Sequence, residues 1–98
     1  VILSKFIYTG SSDIGAITSI KAIVNQTAAG QTTSIRIYDV TNALVIAELT
    51  AFTDSTATIK DLGTISNLPT GAAIFEIQAK TSSAIKTVYV STVLCKIG

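Results

Sequence analysis

The stretch from Ser34 to Thr50 constrains the fold more than any other part of this sequence. It contains two runs rich in β-branched residues, Ile35–Val40 and Leu44–Leu49, separated by the short polar break Thr-Asn-Ala. Two such runs joined by a short break of turn-forming residues are typical of a β-hairpin. We therefore predict two antiparallel strands here, and the rest of the chain must supply partners for them.

The side chains of this hairpin favour one register. A three-residue loop places Arg36 opposite Glu48, whereas a two-residue loop would place Arg36 opposite Leu49 and leave its charge unmatched. We therefore expect the longer loop, at residues 41–43. In that register the remaining residues pair as apolar partners, Val40 with Leu44, Tyr38 with Ile46, Ile35 with Leu49, and Ile37 with Ala47.

Both faces of the predicted hairpin are largely apolar. One face, with Ile35, Ile37, Ala47 and Leu49, is suited to a hydrophobic core. On the other face only Arg36 and Glu48 are charged, and we expect its apolar residues to be covered by another strand or another copy of the chain. These interface candidates are Tyr38, Val40, Leu44 and Ile46.

Strand-like patterns recur along the whole chain, and no helical period is found. They lie at about residues 1–9, 14–24, 56–62, 72–80 and 85–97. Apolar residues pair with apolar ones if 72–80 and 85–97 form a hairpin with Phe75 opposite Val90 and Ile77 opposite Val88. Seven or eight strands at a spacing of about 8–12 residues predict an all-β fold. We expect a single antiparallel β-sandwich over residues 1–98, with jelly-roll or immunoglobulin-like topology.

The composition is unusually apolar for a chain of this size. Of its 98 residues 48% are hydrophobic and 13% are charged, against about 25% charged residues in typical domains. A small domain cannot bury so much apolar surface, so we expect part of that surface to form an interface. The net charge of +1 comes from scattered charges. We therefore expect no nucleic-acid partner and, without an apolar run of about 20 residues, no membrane insertion.

No catalytic motif is recognisable in the sequence. The chain has no histidine, and its one cysteine, Cys95, lies in an apolar run where a buried, unreactive thiol is expected. Neither a zinc site nor a nucleophile with its base can be assembled from these residues. The carboxylates have structural interpretations, with Asp39 capping the hairpin loop and Glu48 pairing with Arg36. We expect a protein that is not an enzyme and has no catalytic residues, metal or cofactor.

A carbohydrate ligand is an alternative role for the exposed aromatic residues of a β-sandwich. Tyr38 and Tyr89 are candidate platforms for a sugar, and Gln31 lies in the polar loop that precedes the hairpin. For each tyrosine the competing interpretation is a packed ring with only its hydroxyl group at the surface. The absence of tryptophan weakens the carbohydrate interpretation.

Two segments carry a resemblance to known proteins. The run IRIYDVTN, Ile35–Asn42, and the run DLGTISNLPTGAAIFEIQAK, Asp61–Lys80, resemble small β-sandwich domains of virus structural proteins, such as head or tail fibres, spikes and capsid decorations. The shared features are strands rich in threonine, isoleucine and alanine, few cysteines and histidines, and polar hairpin tips. The resemblance implies assembly on a particle surface, often as a homotrimer and sometimes with receptor binding.

Three functions are consistent with these features. The first is a non-catalytic structural protein of a viral or extracellular assembly, located on a virion surface or outside the cell and self-associating through apolar sheet faces. The second is a module that binds carbohydrate or a host receptor. The third is a filament or pilus subunit whose first strand, 1–8, completes the sheet of a neighbour. Because the chain has no methionine and starts at Val1, we expect a processed chain or an excised domain.

Overall fold

The fold is described by a computed structural model that covers residues 2–26, 32–53, 56–81 and 88–97. Within these residues the chain forms seven β-strands and no helix. Each strand contains many Ile, Val, Thr, Tyr or Phe residues, which favour extended backbone because their side chains pack well on a pleated surface. The strands are β1 (Ile2–Tyr8), β2 (Ile17–Gln26), β3 (Thr33–Asp39), β4 (Leu44–Phe52), β5 (Thr58–Asp61), β6 (Ala73–Thr81) and β7 (Val88–Ile97).

The strands form two antiparallel sheets with a shared core. The first sheet has the order β1-β6-β3-β4, and the second has the order β5-β2-β7. Buried side chains of both sheets belong to one hydrophobic cluster, among them Ile35 and Phe75 from the first sheet and Ile20 and Val24 from the second. This arrangement confirms the predicted all-β fold with seven antiparallel strands in two sheets.

The predicted hairpin forms, and three of its five predicted residue pairs are confirmed. Strands β3 and β4 pair with Arg36 opposite Glu48, and the two pairs that flank it also match the prediction, Ile35 with Leu49 and Ile37 with Ala47. Beyond Ile37 the register shifts by one residue. The predicted pairs Tyr38–Ile46 and Val40–Leu44 are therefore wrong.

A β-bulge at Ile46 causes the shift. Tyr38 lies opposite Val45 and Asp39 lies opposite Leu44, which leaves Ile46 as the extra residue of β4. A bulge changes the alternation of side chains, so both Ile46 and its neighbour Ala47 point into the core. Burying an isoleucine side chain contributes about 1.5–3 kcal/mol, which favours the bulge over the regular register. The hairpin loop consequently has four residues, 40–43.

The predicted hairpin between residues 72–80 and 85–97 is wrong. Strand β6 lies between β1 and β3 in the first sheet, and β7 pairs with β2 in the second, with Val90 opposite Val24. The alternating pattern of β6 correctly predicts its core face, because Ala73, Phe75, Ile77 and Ala79 are all buried. The same alternation matches any partner strand of period two, so it could not identify the true neighbours.

Candidate functional site

The solvent-facing side of the sheet β1-β6-β3-β4, here called the outer face, carries most of the residues that the sequence singled out. Successive side chains of a strand point to opposite sides of the sheet. The core-facing residues of β6 are the odd-numbered ones, so its even-numbered residues lie on the outer face. In register with them are outward residues of β1 and β3. The outer face thus presents Lys5, Ile7, Arg36, Tyr38, Ile74, Glu76 and Gln78.

Four of these residues form a continuous polar network across three strands. Gln78 is its centre: its side-chain nitrogen donates to Oε1 of Glu76 at 2.8 Å, and its Oε1 accepts from Nε of Arg36 at 2.7 Å. The ammonium group of Lys5 lies 3.7 Å from the other carboxylate oxygen of Glu76. The polar network, Lys5–Glu76–Gln78–Arg36, therefore connects β1, β6 and β3 through side chains.

Glu76 is the buried member of this network. The alternation of β6 alone would place its side chain in solvent, but the residue is only 6% exposed. Tyr38 lies directly opposite Glu76 on the neighbouring strand, and Lys5 lies opposite it on the other side. A carboxylate removed from water requires hydrogen-bonding or charged partners. Gln78 and Lys5 supply them, so Glu76 has a structural role that the alternation of β6 did not reveal.

Arg36 has different partners from the one predicted. Its backbone lies opposite Glu48, but the guanidinium group donates to Gln78 on the other neighbouring strand. The guanidinium carbon also lies 4.6 Å from the centre of the Tyr38 ring, in a cation–π arrangement. One face of the Tyr38 ring is consequently covered by Arg36. The Tyr38 ring packs against the guanidinium group of Arg36, and it is the guanidinium group, not the ring, that would face a ligand from this side.

A polar cavity opens beside Arg36 on the outer face. Its volume is about 280 Å³. The side chains of Ser34, Arg36, Glu48, Gln78 and Lys80 line it, together with Ile35 and Ala79, which are core residues of the same strands. Ser34 is fixed by a 3.1 Å hydrogen bond in which its hydroxyl oxygen accepts from the backbone N–H of Ala51. The cavity combines two cationic groups, one carboxylate and two neutral polar groups.

A row of exposed apolar side chains crosses the end of the outer face next to the polar network. Ile7 of β1 lies opposite Ile74 of β6, and the N–H of Val40 donates to the carbonyl oxygen of Ile74 at 2.9 Å. These three residues, here called the apolar row, are 71%, 46% and 43% exposed respectively. Their side chains form an apolar surface that the sheet itself does not cover.

The predicted interface residues occupy three different environments. Val40 belongs to the apolar row, and Leu44 is exposed at the rim of the sheet. Tyr38 is half-buried under Arg36. Ile46 is only 1% exposed, so its assignment to the interface is wrong, because the bulge in β4 turns its side chain into the core. Of the apolar face expected from the hairpin, only Val40 therefore joins the apolar row, because Leu44 lies opposite Asp39, whose side chain is buried on the other side of the sheet.

Of the other two ligand candidates, Gln31 and Tyr89, the structure describes no side chain. Gln31 lies outside the described residues. The backbone of Tyr89 pairs with Asn25 in the second sheet, and its side chain also lies outside the described part. Tyr8 is a core residue whose ring packs 5.3 Å from that of Phe75 and whose hydroxyl donates to the carbonyl oxygen of Gly15. Desolvation raises the pKa of Tyr8 above its ordinary value.

A second, apolar cavity lies between the edge strands β1 and β7 of the two sheets. Its volume is about 400 Å³, and its lining includes Ile7, Ile14, Val93, Cys95 and Ile97. Cys95 is half-buried in this groove and unpaired. Burial raises the pKa of its thiol, because the apolar lining disfavours the thiolate. The thiol is therefore neutral and weakly nucleophilic near pH 7.

Sequence reasoning found Arg36, Tyr38 and Val40 but missed the partners that β1 and β6 contribute. The alternation of β6 did place Ile74, Glu76 and Gln78 on one face. No local signal shows that this face continues into β3 and β1, because neither strand is adjacent to β6 in the chain. The one local indication of the polar network was that Arg36 and Gln78 are polar residues in the middle of otherwise apolar strands.

The residues that the structure describes contain no group of three or more histidine, cysteine, aspartate or glutamate residues placed to hold a metal ion. No helix among them is long and apolar enough to cross a membrane. Comparison of the chain with protein-family models, curated proteins and solved structures found no match.

Proposed function

We propose that this chain is a non-catalytic structural subunit of a viral or extracellular assembly, located on a virion surface or outside the cell, and that it self-associates through its outer face. The observation that carries this proposal is the apolar row, in which Ile7, Ile74 and Val40 lie exposed side by side on three adjacent parts of one sheet. Single exposed apolar residues are ordinary, whereas a contiguous set on a rigid sheet is typical of an interface.

Burying the three side chains of the apolar row favours association, but the free energy gained in this way is too small to hold an oligomer together. Covering a half-exposed isoleucine or valine contributes on the order of 1 kcal/mol. Association costs at least about 4 kcal/mol in lost freedom of motion. A stable homo-oligomer must therefore cover more of the outer face than the row. We propose a trimer, the state that the resemblance to virus structural proteins implies.

The low charge of the chain supports the same proposal. Only 13% of its residues are charged and its net charge is +1, so repulsion between copies is weak. Lys5 and Glu76, which lie one outward position along the strands from Ile7 and Ile74, have their charged groups 3.7 Å apart. An interface over the row would therefore not leave the Glu76 carboxylate without a partner.

The filament hypothesis is not favoured by the strand pairing. Strand β1 pairs with β6 of its own chain at six positions, from Ile2 to Tyr8. To complete the sheet of a neighbour, it would first have to give up this ladder and uncover Phe75, which packs against Phe6 and Tyr8. We therefore base the proposed assembly on the face of the sheet and not on the exchange of its first strand.

We further propose that the sandwich is closer to the immunoglobulin type than to the jelly roll. Immunoglobulin sandwiches place the second strand beside the fifth and the third beside the sixth, and this chain has both neighbours. Its departures are that β1 and β7 have exchanged sheets, with β1 beside β6 and β7 beside β2, and that β4 lies beside β3 instead of β5. An experimental structure in which β2 does not lie beside β5, or β3 does not lie beside β6, would contradict this assignment.

A pair of isoleucine-to-lysine variants tests the proposed interface. Ile74 and Ile59 are both exposed on strands, but Ile74 lies in the apolar row and Ile59 lies on β5 of the other sheet. We expect Ile74→Lys to yield a monomer in sedimentation velocity at concentrations where the native chain is oligomeric, because each interface would bury a charge. Ile59→Lys should leave the oligomer intact. Loss of the oligomer in both variants, or in neither, would exclude the outer face as the interface.

A further inference from the structure

We propose that the polar cavity beside Arg36 binds an acidic sugar, with the carboxylate of the sugar held by Arg36 and Lys80 and its hydroxyl groups held by the other polar residues of the cavity. This proposal rests on residues outside the apolar row, because the cavity lies at the Arg36–Gln78 end of the polar network and the row lies next to its Lys5–Glu76 end. It assigns a binding role to residues that the assembly does not require.

The guanidinium group of Arg36 is already fixed in place. Its Nε donates to Gln78, Gln78 in turn donates to the buried Glu76, and the Tyr38 ring supports the guanidinium from one side. An arginine held in this way loses little side-chain freedom when a ligand binds. Its two terminal nitrogens have no partner among the described residues, so their N–H groups are available to an anion. Paired N–H donors of this geometry match the two oxygens of a carboxylate.

Lys80 supplies a second cationic group on the same side of the cavity. It lies opposite Ser34, one outward position along the sheet from the facing pair Arg36 and Gln78. Diagonal neighbours of this kind are about 7–8 Å apart, a separation that two long side chains can bridge around one carboxylate. Among the lining residues that the structure describes, Glu48 is the one carboxylate, and these residues together carry one excess positive charge. An anionic group is therefore favoured.

The other side chains of the cavity suit hydroxyl groups. The Ser34 oxygen already accepts from Ala51, so its own hydrogen is free to be donated. Gln78 uses one of its two amide hydrogens for Glu76 and keeps the second. Glu48 is exposed, and no partner for its carboxylate is found in the part of the chain that the structure covers. It can accept hydrogen bonds from two hydroxyls but would repel a dianion such as phosphate.

The size of the cavity limits the ligand to one sugar ring. Its volume of about 280 Å³ is just below the range of about 300–1,000 Å³ for small-molecule sites. One carboxylate and several hydroxyls on a single ring match the sum of its polar groups. A uronic acid is the simplest compound with this chemistry.

NMR titration of the ¹⁵N-labelled chain with glucuronate tests the proposal. We expect shifts concentrated at residues 34–36, 48 and 78–80, with a dissociation constant in the millimolar range, which corresponds to about −4 kcal/mol. Glucose supplies the ring without the carboxylate, and acetate supplies the carboxylate without the ring. Each should bind at least about tenfold more weakly. Equal binding of glucose or acetate, or the absence of shifts at these residues, would overturn the proposal.

Two lysine variants separate specific binding from attraction to overall positive charge. Lys80→Gln removes one charge from the cavity, and Lys96→Gln removes one from the exposed β7 strand of the other sheet. Both residues are exposed, so both variants should fold. We expect glucuronate to bind about tenfold more weakly to Lys80→Gln and unchanged to Lys96→Gln. Equal weakening in the two variants would show that only net charge matters and would also overturn the proposal.

Discussion

The side chain of Arg36 donates a 2.7 Å hydrogen bond to the side chain of Gln78, a residue 42 positions further along the chain on a neighbouring strand. Gln78 also donates to the buried carboxylate of Glu76, so a single amide group serves a cation and an anion at once. Because both partners are charged, each hydrogen bond is stronger than one between neutral groups. Gln78 is therefore the residue on which the polar side of the outer face depends.

We predict that Gln78→Ala destabilises the domain by about 1.5–3 kcal/mol, because Glu76 and Arg36 each lose a charge-assisted hydrogen bond and Glu76 remains buried. Lys5 cannot compensate, since its ammonium group is largely exposed and such an ion pair contributes less than about 1 kcal/mol. Urea denaturation followed by circular dichroism measures the change. The control is Lys80→Ala on the same strand, which is exposed and should change stability by less than about 0.5 kcal/mol.

The bulge in β4 predicts unequal effects of truncating two hairpin residues. Ile46 is buried by the bulge, whereas Val40 is exposed in the apolar row. Ile46→Ala should cost about 2–5 kcal/mol, because it leaves a cavity in the core. Val40→Ala should cost less than about 1 kcal/mol in the monomer. Thermal denaturation at low protein concentration compares the two variants. Similar losses of stability would contradict the bulge and would favour the regular register, in which Ile46 faces outward.

A close backbone contact at Gly10 should make this position more sensitive to substitution than Gly63. Both glycines have positive φ, 102° and 80° respectively. A Cβ atom at Gly10 would overlap the carbonyl oxygen of Thr70, whereas one at Gly63 would meet nothing within 4 Å. Gly63→Ala therefore costs only the backbone strain, about 1–2 kcal/mol, and Gly10→Ala must also displace the turn at Thr70. We expect a clearly lower melting temperature for Gly10→Ala, and equal values would contradict this contact.

The thiol of Cys95 should make stability depend on pH in the alkaline range. Burial raises its pKa in the folded chain, so its contribution is fully present below the unfolded pKa of about 8.5 and is lost as the pH rises through the folded value. The free energy of unfolding should therefore fall between about pH 7 and 9.5, below the ordinary tyrosine pKa of about 10. Urea denaturation at both pH values measures this, and Cys95→Val should remove the part due to the thiol. An unchanged pH dependence in that variant would show that the thiol is not responsible.

The sequence predicted the local features of the fold because their determinants lie within single strands. Alternation identified the core residues of β6, including Phe75, and charge matching identified the pair Arg36 and Glu48. The bulge at Ile46 could not be predicted, since both registers place Tyr38 and Asp39 opposite apolar residues near the loop. Only the packing of Ile46 against the opposite sheet decides between them.

The candidate site was predictable only in part, because it is built from strands that are distant in sequence. Arg36 and Tyr38 were recognised from the hairpin alone, with Glu48 as the expected ionic partner. The actual partner, Gln78, comes from β6, and the sequence paired that strand with β7 instead. Alternating strands satisfy many pairings equally well, so the order of strands in a sheet is set by packing between sheets and not by local pattern.

The most direct test of self-association through the outer face is the solvent exposure of isoleucine methyl groups, measured by NMR with a soluble paramagnetic agent at low and high protein concentration. If the apolar row forms the interface, the methyl groups of Ile7 and Ile74 lose relaxation enhancement at high concentration, whereas those of Ile59 on the other sheet do not. Enhancement that is independent of concentration at Ile7 and Ile74, or that falls only at Ile59, would contradict the proposed assembly.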